Sequence, residues 1–354
     1  MNLETNVIAS RKRSNLIKKF LFMRLPRTLW VLAMTNLALL TLSITYPLCG
    51  DFFPKDPFTD KARGTTAASF LKLNPSARGA SLADTLTDQN HDFTAGFLNP
   101  IAFANGAQKK SLAITSSLLP ESIVEASLAY GWPAGNGKII LATHELIEPG
   151  IALYDSLGNK TGDFSPWDAA LHAGYAVKSE SGIPLGAHLA YINTNVGPGL
   201  SGWSLAGNFG FSFPSGFFAD QNLGLAFSFT NLGLPIKIGG KEFPLPFRFQ
   251  SEMSYHLSRE ALLGLELFLP VDQAPYVGVG FEWKIPFVSG VPKEDSSSGA
   301  AIRFGITNKN KTDSITNKLS FGLGVYFSRL ALDIGMASFG NLGFYPKLGF
   351  SFNF

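Results

Sequence analysis

From about residue 110 to the last position, apolar and small polar residues alternate in run after run. "WSLAGNFGFSF" places Trp203, Leu205, Phe209, Phe211 and Phe213 on one parity, and Ser204, Ala206, Asn208, Gly210 and Ser212 on the other. "NLGLAFSFTN", "YVGVGFEWKI" and "KLSFGLGVYF" repeat the arrangement: Val277, Val279, Phe281, Trp283 and Ile285, for example, oppose Gly278, Gly280, Glu282 and Lys284. Successive side chains of a strand point to opposite faces, so a period of two predicts strands with one apolar and one hydrophilic side. Such runs begin near Ser111, Ser122, Lys138, Trp167, Pro184, Trp203, Asn222, Phe247, Ala261, Tyr276, Ala300, Leu319, Leu330 and Tyr345. Turn formers separate them, among them "WPAGNGK", "SESGIP", "FPSGFFADQ", "VPKEDSSSG" and "NKNKTDS". The pattern predicts an all-β chain of about fourteen antiparallel strands.

Alternation alone does not say what medium the apolar face meets. The runs hold for about ten residues, longer than the strands of most soluble sandwiches and the length that a tilted strand needs to cross a bilayer. Aromatic residues recur near run ends, at Trp132, Trp167, Trp203, Phe247, Tyr276 and Trp283, where an interfacial girdle would place them. The ionisable residues Glu125, His172, Lys178, His188, Arg248, Glu252, His256, Glu266, Glu282, Lys284, Arg303, Asp333 and Lys347 fall on the hydrophilic parity. A cation on the lipid side would cost about 2–4 kcal/mol at mid-membrane, and this parity avoids nearly all of that. The expected fold is therefore a transmembrane antiparallel β-barrel in contact with outer-membrane lipids. An even strand count leaves both termini on the periplasmic side.

Composition agrees: 16% of residues are charged, with 31 Phe and 36 Gly, which suits a body whose outside is not water. A net charge of +3, with no basic stripe along the strands, gives no footprint for nucleic acid. The single cysteine, Cys49, excludes a disulfide framework and a cysteine-based metal site.

The chain divides into three parts. Basic residues from Arg11 to Arg27 lead into an apolar run from Leu29 to about Leu48, which reads as a secretory signal peptide over residues 1–50. Cleavage near Gly50 is the leading reading; an uncleaved anchor and a lipidated Cys49 are the alternatives, the latter opposed by the bulk of Leu48. Residues 51–108 show no sustained alternation and contain "NPSARGASLADTLTD", where Asn74 or Ser76 could cap a short helix. Residues 109–354 form the barrel. Fourteen strands enclose a bore intermediate between side-chain-filled and open barrels, and residues 51–108 are expected to fill it as a partly helical plug.

The chain ends "KLGFSFNF", with Phe350, Phe352 and Phe354 on one parity. This ending resembles the carboxy-terminal signal read by the barrel-assembly machinery of the bacterial outer membrane, and the same residues would complete the lipid face of the closing strand.

"AASFLKLNPSARGASLADTLTD" followed by "FLNPIAFAN" resembles the start of the FadL-type outer-membrane transporters, and more closely their PorV-like and uncharacterised relatives. Ser76, Ala77, Arg78 and Gly79 match the first motif of that family, and Asn99 and Pro100 the second; Ile101 stands where the family usually has Ala. The resemblance implies a plugged barrel of about fourteen strands that takes up hydrophobic molecules such as long-chain fatty acids. PorV-like relatives imply an alternative, docking of secreted partners without import.

Two connections are unusually apolar, "EPGIALYDSLGNKTGDF" and "NLGLPIKIGGKEFPLP". Ile151, Leu153, Tyr154, Leu234, Ile236, Ile238, Phe243 and Leu245 could form an outward collecting groove, or the loops could pack together as a lid. Within the bore, Arg248, Lys284 and Arg303 are candidates to meet a ligand carboxylate, or to neutralise Glu252, Glu282 and Asp333. Arg78 has the same choice between a wall acid and a ligand. No Gly-x-Ser-x-Gly stretch accompanies His144, His172, His188 and His256, which disfavours a barrel-embedded lipid hydrolase. No ligand cluster suggests a metal, and no motif suggests a cofactor.

Overall fold

The computed structural model describes residues 52–85, 92–104, 109–218, 220–287, 298–309 and 314–354. The expected signal peptide, Cys49 and Asn105 of the second motif lie outside these residues. In chain order the strands are β1 (Ser111–Leu118), β2 (Val124–Ala134), β3 (Gly137–Ile147), a short pair β4 (Ile151–Tyr154) and β5 (Lys160–Phe164), β6 (Trp167–Lys178), β7 (Pro184–Gly197), β8 (Leu200–Phe213), β9 (Leu223–Gly233), a second short pair β10 (Ile236–Ile238) and β11 (Lys241–Phe243), β12 (Arg248–His256), β13 (Ala261–Pro270), β14 (Tyr276–Pro286), β15 (Gly299–Thr307), β16 (Leu319–Phe327), β17 (Leu330–Ser338) and β18 (Phe344–Asn353). Among the described residues, fourteen of them close into one antiparallel barrel, and the two short pairs stand apart as hairpins.

Closure joins β18 to β1, with Ser111 opposite Asn353 and Ser117 opposite Lys347. One step further, Lys110 and Phe354 exchange two backbone hydrogen bonds of 3.0 and 2.9 Å, so the terminal Phe is held in the ladder. Its ring stacks on Phe352 at 5.5 Å. The observed strand starts follow the sequence pattern closely. The main departure is β8, which begins three residues before Trp203 because the tight turn after Gly197 lets the ladder run on to Gly197 opposite Leu200. The hairpins β4–β5 and β10–β11 lie at the end of the barrel away from Lys110 and Phe354, here termed the hairpin end.

Side-chain parity is as the alternation requires. Leu189, Leu323, Leu348 and Trp203 are 67, 61, 58 and 58% exposed on the outer wall. Glu125, His172, His188, Arg248, Glu252, Glu266, Glu282, Arg303 and Lys347 are buried inside. A closed barrel satisfies every ladder group internally, which a hydrocarbon surrounding demands. Glu145 is an exception on the outer parity, two residues from the hairpin end of β3, where the penalty for charge has fallen toward zero. Tyr276 corrects the interfacial-girdle expectation. It is 5% exposed and stacks on Phe268 at 4.6 Å, facing the bore with the parity of Gly278.

The segment before the barrel is a chain of short turns. Ser76 caps the helix α1 (Ala77–Ser81) by accepting from the Gly79 amide at 2.7 Å. Asp92 caps the 3-10 turn Phe93–Phe97, accepting from Thr94 and Ala95 amides at 3.1 and 3.2 Å, and also accepts from the Ser76 hydroxyl. A further 3-10 turn, Pro100–Ala104, follows. These pieces lie against the inward faces of the wall: α1 on β15 to β18, Phe93–Phe97 on β1, and Pro100–Ala104 on β3, β6, β7 and β8.

Candidate functional site

Glycines on the inward parity let this segment approach the wall backbone. A Cβ at Gly335 would collide with the Ala77 carbonyl, and one at Gly186 with the Pro100 carbonyl. Backbone cannot yield as a side-chain tip does, so Gly335→Val or Gly186→Val is expected to destabilise this packing by about 1–3 kcal/mol. The check is faster proteolysis of residues 52–104 in a barrel that still shows its heat-modifiable shift. Equal protection would contradict the packing described.

The first motif is explained residue by residue. Ser76 caps α1, Ala77 fits beneath Gly335 and Gly349, and Gly79 leaves room for the Asn74 amide. Arg78 reaches the wall, its Nε 2.8 Å and Nη2 3.1 Å from the Glu282 carboxylate on β14. In the second motif, Pro100 presents its carbonyl to Gly186, and the Asn99 side chain accepts from the Ile101 amide at 3.4 Å beside Gly210. A second tie comes from Lys347, which donates to the Asn74 carbonyl and to Glu125, both at 2.6 Å. A third lies at the hairpin end, where Asp272 takes Lys72 at 2.8 Å and the Thr66 hydroxyl at 2.7 Å.

The three cation candidates divide. Arg303 is occupied, with Nε 2.7 Å from Glu282 and Nη1 2.6 Å from Asp333. Lys284 stands 3.7 Å from Glu282. Arg303 is not placed to give up its partners cheaply, since an uncompensated buried charge costs several kcal/mol. Arg248 differs: it is 4% exposed, and its Nε and Nη2 have no hydrogen-bond partner among the described residues. Its guanidinium lies 5.9 Å from the centre of the Phe268 ring. Arg248 opens β12 directly after the β10–β11 hairpin, so it sits at the hairpin end.

The apolar loop residues also divide. Ile236 and Leu245 are 0 and 2% exposed and join Phe70, Leu71, Leu119, Leu146, Ile192 and Tyr345 in a cluster inside the hairpin end. They therefore lie outside any exposed collecting groove, and Ile238 packs partly against the same cluster. Phe243 and Leu153 are half-buried. Ile151, Tyr154 and Leu234 remain on the surface, at 53, 63 and 50% exposure.

Three of the four candidate histidines, His144, His172 and His188, are gathered in space around Phe97 and Phe103. The β6–β7 register sets His172 opposite Ala190 and His188 opposite Gly174, which makes the two rings diagonal neighbours on one face. Their Nδ1 atoms are 3.1 Å apart. His144 lies 3.0 Å from Glu125 through Nε2. The hydrogen-bond partners found for these three are Glu125, Asn208 and each other, with no serine among them. Hairpin register combined with parity is the signal that would have found the pair.

No protein-family model and no curated protein matches the chain. Among solved structures, it is similar to the Pseudomonas putida toluene transporter TodX at a TM-score of 0.49 and 12% identity, covering 78% of this chain and 96% of that one. It is also similar to the CymD monoaromatic hydrocarbon channel, at 0.48 and 10% identity with 79 and 96% covered. A Pseudomonas aeruginosa FadL homologue scores 0.40 at 12% identity, with 79 and 97% covered. Scores below one half mark a distant likeness, so what the chain does is argued from its own residues. What it resembles is a set of barrel channels of the FadL type.

Proposed function

We propose that the chain is a bacterial outer-membrane barrel through which hydrophobic molecules with an anionic head, of the long-chain fatty acid class, are taken up. In this reading residues 51–108 act as the plug, and the hairpin end faces outward. The carrying observation is Arg248, a buried guanidinium with two nitrogens left without partners just inside the hairpin end. A carboxylate would satisfy both in a paired hydrogen-bonded arrangement, while the neighbouring apolar cluster around Phe70, Leu71, Ile236 and Leu245 suits an acyl chain. Arg303 and Lys284 serve the wall's own acids. Phe350, Phe352 and Phe354 fit the role of assembly signal for the barrel-assembly machinery, as well as completing the outer wall.

The test is saturable binding of a labelled long-chain fatty acid to the refolded protein in detergent. Arg248→Ala should weaken it by about tenfold or more, the equivalent of the 1.5–3 kcal/mol typical of a hydrogen bond to a charged group. A parent protein with no saturable acyl binding would sink the uptake reading. One observation favours docking as the second reading: the β4–β5 hairpin holds Ile151, Tyr154 and Leu157 exposed at 53, 63 and 84%. Retention of a secreted partner on the intact barrel, lost when residues 151–164 are removed, would support it.

A further inference from the structure

The main-chain N–H of Asn231, on β9, donates to Asn208 Oδ1 at 2.8 Å, which fixes the orientation of that amide on β8. Its Nδ2 therefore faces His188 Nδ1, 3.3 Å away. An amide nitrogen can only donate, so His188 Nδ1 accepts and the proton of this ring sits on Nε2. His172 Nδ1, 3.1 Å from the same acceptor, must then be the donor, which leaves a bare lone pair on His172 Nε2. Neither Nε2 has a hydrogen-bond partner among the described residues, and both rings are about 3% exposed. The donors Asn208 and His172 thus converge on His188 Nδ1, and His172 Nε2 is left as an unused base.

That base is roofed by the segment before the barrel. Phe97 stands edge-on to His172 with centroids 5.1 Å apart, and Phe103 to His188 at 5.8 Å. Among the described residues, the titratable and charged groups on the surrounding inward faces are His144 of β3, Asp168 of β6, Glu125 of β2 and Lys347 of β18; Asp168 takes the Thr194 hydroxyl, and β8 and β9 contribute the neutral Asn208 and Asn231. Glu125 is committed to Lys347 at 2.6 Å, Ser117 at 2.7 Å and His144 at 3.0 Å. A proton arriving on His172 Nε2 therefore meets the Phe97 ring, and among the described residues no carboxylate is hydrogen-bonded to it. A second proton, on His188 Nδ1, would set two N–H groups against each other and break the bond to Asn208.

We propose that the His172–His188 pair is an acid-sensitive latch: neutral, it holds the Phe93–Ala104 stretch against the wall, and protonated, it releases that stretch. Water reaching the charged rings is the relief available, and it requires Phe97 and Phe103 to move away. An ordinary imidazole titrates near pH 6.5, so the latched form prevails at neutral pH and is lost on acidification. The latch concerns packing alone and holds whatever molecule the barrel carries.

The test uses the full chain refolded into planar bilayers, with a reactive Thr94→Cys reporter in a Cys49→Ser background. Lowering the pH from 7.5 to 5 should raise single-channel current and speed thiol labelling by about tenfold, the factor supplied by one pKa unit of coupling. His172→Phe keeps an aromatic ring under Phe97 and should be closed at both pH values, while His144→Asn should keep the acid response. The proposal falls if the parent shows no acid response, or if His172→Phe retains it. It falls equally if His172→Phe is already open at pH 7.5, because a neutral ring is then not what closes the latch.

Discussion

Glu282→Ala is expected to free the segment around α1 from the wall and to be the most disruptive single substitution inside the bore. Glu282 is fully enclosed and receives Arg78 at 2.8 Å and Arg303 at 2.7 Å, with Lys284 at 3.7 Å. Removing it takes this carboxylate from Arg78 and Lys284 and leaves Arg303 its 2.6 Å bond to Asp333. Breaking a buried pair from one side costs about 3–5 kcal/mol, because the remaining charge stays desolvated and uncompensated. Arg78→Ala should be milder, since Glu282 keeps Arg303. Denaturant unfolding of the refolded barrel, with proteolysis of residues 52–104 as the local reading, should rank Glu282→Ala below Arg78→Ala. The reverse order would show that the ion cluster does not hold the segment.

Leu189→Arg carries the second large effect. Leu189 sits in the middle of β7, 67% exposed, between Ala173 on β6 and Gly207 on β8. In a bilayer an arginine there should reduce stability by about 2–4 kcal/mol, with little change for Leu189→Phe. The measurement is reversible urea unfolding in lipid vesicles. If water bathed this wall, the arginine would instead be neutral, since isolated surface changes away from structural features usually fall within about 0.5 kcal/mol.

These two positions show what the sequence could and could not reveal. The outer position of Leu189 follows from local alternation, because each strand repeats the period independently and antiparallel neighbours must share faces. The inward position of Glu282 and Arg303 was legible for the same reason, while Arg78 belonged to the segment before the barrel. The pairing of Arg78 with Glu282 in particular was not, since the two are 204 residues apart and meet only in the closed barrel. Arg248 looked equivalent to Arg303 in sequence; what separates them is that, among the described residues, no carboxylate pairs with Arg248, a property of the assembled wall.

Loop burial was equally hidden. Ile236 and Leu245 resemble Ile151 and Tyr154 in composition, yet the first two are enclosed by Phe70 and Leu71 from the other end of the chain. Tyr276 was misread because its position near a strand end suggested an interface, whereas its parity with Gly278 already pointed inward. The histidine pair was within reach: the turn between Lys178 and Pro184 fixes the β6–β7 register, and register plus parity places His172 beside His188.

The most direct measurement of what surrounds the wall is quenching of Trp203 by bromine attached to lipid acyl chains. Trp203 is 58% exposed and stacks beside Tyr191 on the outer face. In a variant keeping only this tryptophan, reconstituted in brominated vesicles, strong quenching is expected. An unquenched Trp203, in a protein that stays monodisperse without detergent, would contradict a hydrocarbon-facing barrel.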